Sequence, residues 1–87
     1  MNYRLDISNL ATDQIKDYKK SGNKIILKKL NRLLSEIIEH PFTGTGKPEQ
    51  LKHNLSGYWS RRINKEHRLI YEVIEDENKI DLSQCSR

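Results

Sequence analysis

Residues 58–73 read YWSRRI (58–63), NKE (64–66) and HRLIYEV (67–73), and they carry the strongest strand pattern of the chain. Apolar and polar residues alternate in the two outer pieces, which is typical of half-buried strands. The three polar residues between them match a short hairpin loop. We therefore predict an antiparallel hairpin in which Ile63 lies opposite His67 and Arg62 lies opposite Arg68.

This register sorts the side chains onto two faces, because successive residues of a strand point to opposite sides. One face gathers the apolar residues that would cover a helix, namely Trp59, Ile63, Leu69, Tyr71 and Val73. Arg61 falls on that apolar side, and we expect its stem to carry the charge to an edge of the sheet.

The opposite face of the predicted hairpin carries Arg62 and Arg68. Like charges that lie directly across a ladder repel each other, so this register predicts an uncompensated positive site. A phosphate group would relieve the repulsion. The alternative is that Glu49, Glu72 or solvent screens both arginines as ordinary surface residues.

The first half of the chain predicts one strand and two helices. Residues 3–7 alternate as a strand does, and Ser8 then offers an N-cap oxygen for a short amphipathic helix that ends at Ser21-Gly22. Beyond Asn23, apolar residues recur at the spacing of a helix with one buried face: Ile26, Leu27, Leu30, Leu33, Leu34, Ile37 and Ile38. Pro41 ends this second helix.

The remaining segments complete an α+β fold. Residues 41–48 contain two prolines and two glycines and predict a loop that delivers Glu49 to the beginning of the sheet. Residues 51–54 are a candidate short strand, and residues 79–83 predict a last strand after a tight connection at 75–78. We expect an N-terminal strand, a two-helix hairpin and a mostly antiparallel sheet packed on the helices, in one domain spanning residues 1–87.

Charge and cysteine content limit the partners and the location. The chain carries a net charge of +4, and its basic residues concentrate in residues 16–32 and 47–68, which favours a polyanion or an acidic protein segment as partner. No apolar run has the length of a membrane span and no signal-peptide pattern is present, so we predict a cytoplasmic protein without a membrane partner. The single Cys85 excludes an internal disulfide and is interpreted as a small core residue.

The segment that leads into the hairpin sets one carboxylate among several cations. It reads GKPEQLKHNLSGYWSRRI (46–63) and is followed by EHRLIY (66–71). A carboxylate can take the proton of a ribose 2′-hydroxyl while fixed positive groups hold the phosphate and offset charge in the transition state. Binding alone would not need Glu49, so the pattern favours cleavage of RNA.

The pieces GKPE (46–49), LKHNLSGYWSRRI (51–63) and EHRLIY (66–71) closely resemble the core of the YoeB-type toxins, ribosome-dependent mRNA interferases of the RelE/ParE superfamily. The resemblance implies the toxin of a type II toxin–antitoxin system that cuts mRNA in the ribosomal decoding site. It implies Glu49 as general base, with Lys52, Arg62 and Arg68 around the phosphate. No metal or other cofactor is expected, and the products would be a 2′,3′-cyclic phosphate and a 5′-hydroxyl.

Two further residues belong to the candidate RNA-binding set. Lys47 lies in the GKPE piece, and Tyr58 shares the predicted face of Arg62, where it could stack on a base. A partly buried structural tyrosine is the alternative for Tyr58. Trp59 is assigned to the core by the alternation.

The family ends in a Cys-x-x-His-Tyr-like tail, in which the His is the general acid and the Tyr supports the substrate. Aligning Cys85 with the family cysteine places this His and Tyr beyond Arg87, which is always protonated and a poor proton donor. General acid assistance is worth about 10²- to 10⁴-fold in rate, so we expect impaired turnover with an intact fold. His40, His53 and His67 are weak replacements, and no pair of them has the spacing of a helical metal site.

The resemblance also implies partners and leaves two alternative functions. The partners would be a YefM-like antitoxin that docks an acidic segment on the Lys-rich helical stretch, the ribosome with its mRNA, and optionally a second copy of the chain. Operator DNA would be contacted only through the antitoxin complex. The alternatives are a non-catalytic antitoxin-binding corepressor and a ParE-like toxin that acts on gyrase, although the GKPE to EHRLIY block favours the RNA-cleaving branch.

Overall fold

A computed structural model describes residues 2–52 and 57–86 of the chain. Its helices and strands follow one another in the order β1 (Arg4–Ile7), α1 (Asn9–Lys20), α2 (Lys24–Glu39), β2 (Glu49–Gln50), β3 (Tyr58–Arg62), β4 (Arg68–Ile74) and β5 (Lys79–Gln84). A short 3₁₀ helix, Glu75–Glu77, joins β4 to β5. His53, a candidate replacement for the general acid, and Arg87 lie outside the described residues.

Within the described residues, the strands form a five-stranded sheet with the order β1-β5-β4-β3-β2. The first strand, β1, adds to β5 in parallel, and the other neighbours are antiparallel. The predicted α+β architecture is confirmed, with an N-terminal strand, two helices and a mostly antiparallel sheet. The 3₁₀ connection with Asn78 in the left-handed region (φ 53) is the tight connection expected at residues 75–78.

Local sequence signals set the ends of the two helices. Ser8 Oγ accepts a hydrogen bond from the Ala11 N–H at 3.0 Å, so this residue is the expected N-cap of α1. Asn23 Oδ1 accepts from the Ile26 N–H at 3.2 Å and caps α2 in the same way. Between the helices, Gly22 takes φ +71, a conformation that glycine adopts without a steric penalty. The two helices therefore follow each other directly as a hairpin.

The core lies between α2 and one face of the sheet. Its buried side chains come from the apolar stripe of the helix and from the odd-numbered residues of the hairpin, together with α1 and β5: Ala11, Tyr18, Ile26, Leu30, Leu33, Leu34, Ile37, Ile63, Leu69, Tyr71, Ile80, Leu82 and Cys85. Cys85 Sγ lies 3.6 Å from the Ala11 carbonyl oxygen, and burial raises the pKa of this thiol to about 11. Its interpretation as a core residue is confirmed.

The hairpin has the predicted register. Arg62 is paired with Arg68 and Trp59 with Tyr71, and the Ile63 N–H donates to the His67 carbonyl at 2.9 Å. The residues of the connecting loop are held locally, because Asn64 Oδ1 accepts from the backbone N–H groups of both Glu66 and His67. Alternation along both strands therefore placed their side chains on the correct faces.

The candidate short strand at residues 51–54 is not formed at Leu51 and Lys52. The structure has β2 at Glu49–Gln50, where Glu49 pairs with Ser60 and Gln50 with Trp59. Leu51 and Lys52 follow that strand, and the rest of the expected segment lies outside the described residues. A two-residue strand has too few residues to show alternation, so its place depends on the loop that precedes it.

Across residues 2–52 and 57–86, no helix is long and apolar enough to cross a membrane.

Candidate functional site

The face of the sheet that points away from the helices carries the two opposed arginines. Arg62 on β3 and Arg68 on β4 are both exposed and directly paired. Side chains at such cross-strand positions have Cβ atoms about 4.5–5.5 Å apart. Among the described residues, no carboxylate forms an ion pair with either one. The structure thus brings together the two positive charges that the sequence placed on one face.

Glu49 joins this face from the neighbouring strand. It is exposed, and it is paired with Ser60, whose next neighbour on the same face of β3 is Arg62. Diagonal cross-strand neighbours are about 7–8 Å apart, which is within reach of two long side chains. A carboxylate and two guanidinium groups therefore lie on neighbouring positions of the open face.

Lys47 and Lys52 flank β2 along the chain, and both are exposed. Lys47 has φ 51, in the left-handed region where a residue with a side chain typically costs about 1–3 kcal/mol. Gly46 before it has φ +88, and a Cβ at that position would lie 2.8 Å from the Arg62 carbonyl oxygen. The loop thus runs in contact with β3 and keeps a strained lysine next to Glu49.

Tyr58 lies on the same face, at the other end of β3. It is half-buried and paired with Glu72, and the negative charge of Glu72, followed by burial, raises the pKa of the phenol. The tyrosine borders a cavity of about 410 Å³ whose charged lining groups are Asp6, Glu72, Lys79 and Asp81. Lys79 Nζ lies 3.7 Å from Asp6 and 3.6 Å from Asp81. The open face is therefore cationic at the Arg62 end and acidic beyond Tyr58, so a polyanion would be attracted to the first end.

Arg61 differs from its prediction. The prediction that its stem would carry the charge to an edge of the sheet is wrong, since the side chain is 0% exposed. Its guanidinium donates to the carbonyl oxygens of His40, Thr43 (2.7 Å) and Thr45 (3.3 Å). Nε also donates to the Tyr71 hydroxyl at 3.1 Å. The charge remains inside because a loop wraps around it and supplies the hydrogen-bond acceptors that water would otherwise provide.

Glu36 completes this buried group from α2. Its carboxylate accepts from the Thr45 N–H at 2.9 Å and lies 3.4 Å from Arg61 Nη1. The backbone hydrogen bond from Thr45, aided by the charge of Arg61, lowers the pKa of Glu36 below its ordinary value. Sequence reasoning missed this pair. The sequence does show an arginine at an apolar position of a strand. That pattern marks Arg61 as unusual, but it does not reveal which carbonyl groups bind it.

The two described histidines lie away from the open face. His67 contacts the ring of Tyr18, with ring centroids 5.6 Å apart, and its Nδ1 lies 3.2 Å from Ser86 Oγ. It is thus on the core side of the hairpin, whereas Arg68 lies on the open face. His40 follows α2 and lies 4.0 Å from Glu39. Across the residues that the structure describes, no three His, Cys, Asp or Glu side chains form a group that could hold a metal ion.

Comparison with known proteins identifies a family over most of the chain. The family model described as the YoeB-like toxin of bacterial type II toxin-antitoxin systems matches residues 10–87. Toxin YoeB of Escherichia coli (strain K12) is 56% identical over 59 residues, which cover 68% of this chain and 70% of that protein. The match to the family model includes both helices, whereas the motifs noted in the sequence lie in the second half.

Solved structures share the fold over the whole length. The YoeB dimer from Staphylococcus aureus is 40% identical with a TM-score of 0.86, and the comparison covers 100% of this chain and 98% of that one. The YoeB-YefM complex from the same organism is 41% identical with a TM-score of 0.84 and the same coverage. This agreement extends from β1 to β5.

Proposed function

Because this chain belongs to the YoeB-like toxins of bacterial type II toxin–antitoxin systems, we propose that it is an endoribonuclease that cleaves mRNA in the decoding site of the ribosome. One observation carries the proposal. Glu49 lies on the same open face as the opposed pair Arg62 and Arg68, which have no carboxylate partner among the described residues. A base beside two unneutralised cations is the arrangement that attack by a ribose 2′-hydroxyl needs.

In the proposed reaction, Glu49 takes the proton of the 2′-hydroxyl next to the scissile phosphate. The 2′-oxygen forms a bond to phosphorus, and the bond from phosphorus to the 5′-oxygen breaks. The leaving 5′-oxygen takes a proton from water in this chain, or from the histidine of the family tail in an extended chain. The products are a 2′,3′-cyclic phosphate and a 5′-hydroxyl. The base contributes about 10²- to 10⁴-fold in rate.

The proposed role of Arg62, Arg68 and Lys52 is to bind the phosphate oxygens and to offset the extra negative charge of the pentacoordinate transition state. Arg62 and Arg68 are fixed on paired strands, so little reorganisation is needed as charge develops. Their mutual repulsion in the free chain is relieved when an anion lies between them. Lys47 supplies another cation from the loop. Tyr58 is proposed to stack on a neighbouring base, while its contact with Glu72 gives it a structural role as well.

The test is cleavage of a message on stalled ribosomes. The chain, and a version extended by the His-Tyr pair of the family tail, are added to ribosomes that hold a defined codon in the decoding site, and the 5′ ends are mapped. We expect cuts within that codon, faster with the extension, and none in the same message without ribosomes. If the extended form makes no cut, the endoribonuclease proposal is wrong.

A YefM-like antitoxin is the proposed protein partner, as in the Staphylococcus aureus complex. The support is the exposed cationic surface of the two helices, which includes Lys16, Lys19, Lys20, Lys24, Lys28 and Lys29. An acidic antitoxin segment would dock there, and its affinity measured by titration calorimetry should fall as salt rises. Unchanged affinity would exclude a mainly electrostatic contact.

The remaining proposals are separated by simple measurements. The chain would act in the cytoplasm. It would also pair with a second copy as in the Staphylococcus aureus dimer, and light scattering of the purified protein would detect this pairing. An extended chain that binds antitoxin without cutting would be a corepressor module. Inhibition of gyrase supercoiling would instead place its target with the ParE-like toxins.

A further inference from the structure

The buried guanidinium of Arg61 organises a loop. Its three nitrogens donate to the backbone carbonyl oxygens of His40, Thr43 and Thr45 and to the Tyr71 hydroxyl. Only a planar group with several fixed N–H donors satisfies acceptors in so many directions at once. The path of residues 40–45 is therefore determined by one side chain of β3.

Two other side chains reinforce this loop from opposite sides. The Tyr71 hydroxyl accepts from Arg61 and donates to the Pro41 carbonyl oxygen at 2.7 Å. Glu36 accepts from the Thr45 N–H at 2.9 Å and neutralises the arginine from 3.4 Å. The loop is thus attached to α2, β3 and β4 at the same time, and we call Arg61, Tyr71 and Glu36 the loop clamp.

The loop clamp leads directly to the proposed site. One residue beyond Thr45, the Gly46 carbonyl oxygen accepts from the Arg62 N–H at 2.7 Å. Lys47 then takes its left-handed conformation, and Glu49 pairs with Ser60. β2 has two residues at the edge of the sheet, and the Leu51 N–H donates to the Tyr58 carbonyl at 2.9 Å just beyond it, so on its N-terminal side this segment is held through the loop.

We propose that Arg61 is a positioning residue for RNA cleavage, which holds the loop so that Glu49 and Lys47 lie beside Arg62 and Arg68. This inference rests on the proposed function, because it assigns a purpose to the placement of the base. Neighbouring residues of β3 thereby have different tasks: Arg62 would contact the phosphate, and Arg61 would act only through the backbone of the loop. Lysine has one charged nitrogen and cannot replace the fork of donors.

The test compares Arg61→Lys with Arg32→Lys, a matched change at an exposed arginine that also lies near Glu36, 4.0 Å away. Hydrogen exchange followed by NMR reports on the loop through the Arg62 N–H, which is bonded to Gly46, and on the hairpin through the Ile63 N–H, which is bonded to His67. In Arg61→Lys we expect exchange at Arg62 to be about ten times faster with Ile63 unchanged, as a local opening would produce. Arg32→Lys should change neither.

The functional readout separates catalysis from binding. With the His-Tyr-extended chain at saturating ribosomes, Arg61→Lys should lower the single-turnover cleavage rate by about 10²-fold, the usual cost of a displacement near 1 Å. Affinity for the stalled ribosome should stay within about twofold, because the exposed cations are retained. A variant that merely lost folded protein would reduce both quantities together.

Each outcome is informative. Wild-type rates of exchange and cleavage in Arg61→Lys would overturn the inference, and so would equal acceleration at Ile63, since the whole hairpin would then depend on Arg61. Tyr71→Phe provides a second variant, which removes the donor to Pro41 and should accelerate exchange at Arg62 to a smaller extent. If the His-Tyr-extended chain with Arg61 in place does not cut RNA, the proposed function fails, and the exchange data still decide whether Arg61 positions the loop.

Discussion

Arg61 and Arg62 are adjacent residues of the same type, and the molecule uses them in opposite ways. Arg61 lies on the helix-covered face of the sheet, fully buried and surrounded by hydrogen-bond acceptors. Arg62 lies on the open face, exposed and opposite another arginine. A buried charge that has its hydrogen-bond acceptors holds the structure, whereas an exposed charge without an ion-pair partner is available to a ligand.

The same contrast holds for the two faces as a whole. The covered face carries the apolar residues that pack on α2, and its few polar groups are paired. The open face carries Glu49 and the opposed pair Arg62 and Arg68, and these two like charges repel each other instead of packing. Changes on the covered face should therefore affect stability first, and changes on the open face should affect RNA cleavage first.

The largest separation is expected for Glu49→Gln, which keeps the size of the side chain and removes the base. In the His-Tyr-extended chain, the cleavage rate on stalled ribosomes should fall by about 10²- to 10⁴-fold. The melting temperature should be unchanged, because Glu49 is exposed. Glu39→Gln, at the exposed end of α2, is the control, and a rate for Glu49→Gln within twofold of it would contradict the assignment.

A core substitution should show the reverse pattern. Leu33→Ala removes a side chain that is 0% exposed and should lower the free energy of unfolding by about 2–5 kcal/mol. Leu10→Ala on α1, where the leucine is 53% exposed, should cost less than about 0.5 kcal/mol. Urea denaturation of both variants measures the difference. Similar losses would mean that α2 does not carry the core.

Arg62→Gln tests whether the open face gives up stability for binding. Removing one of two directly opposed like charges should raise the free energy of unfolding by about 0.2–1 kcal/mol while lowering cleavage. Denaturation at low salt measures the gain, which should shrink as salt screens the pair. A loss of stability would show that the arginines are already compensated in the free chain.

The smallest effect on the free energy of unfolding is expected for Glu36→Gln at low pH. The pKa of Glu36 lies below its ordinary value of 4.5, so its carboxylate stabilises the folded chain above that pH, and this contribution is lost as the pH falls through the lowered pKa. The difference in unfolding free energy between wild type and Glu36→Gln should therefore be constant near neutral pH and shrink below about pH 4.5. A difference independent of pH would exclude the charge of Glu36 as its cause.

Regular periodicity made most of the fold predictable. The apolar stripe of α2, the Ser8 cap and the alternation along β3 and β4 depend on residues close in sequence, so the helices and the pairing of Arg62 with Arg68 followed from local rules. The burial of Cys85 followed from its residue type. The proximity of Glu49 to the arginines was implied by family resemblance, and the structure places them on one face.

Two features were beyond local rules. The partners of Arg61 are carbonyl groups 16–21 residues away, and backbone carbonyls have no sequence signature. The position of β2 was also missed, because a strand of two residues, Glu49–Gln50, is too short to show alternation.

The most direct measurement is the chemical identity of the RNA ends after cleavage by the His-Tyr-extended chain on stalled ribosomes. Attack by the 2′-hydroxyl, with Glu49 as base, predicts a 2′,3′-cyclic phosphate on one fragment and a 5′-hydroxyl on the other, and no cut where the attacking ribose is replaced by 2′-deoxyribose. Cleavage of the deoxy-substituted message, or fragments with 5′-phosphate and 3′-hydroxyl ends, would contradict a 2′-hydroxyl reaction on the open face.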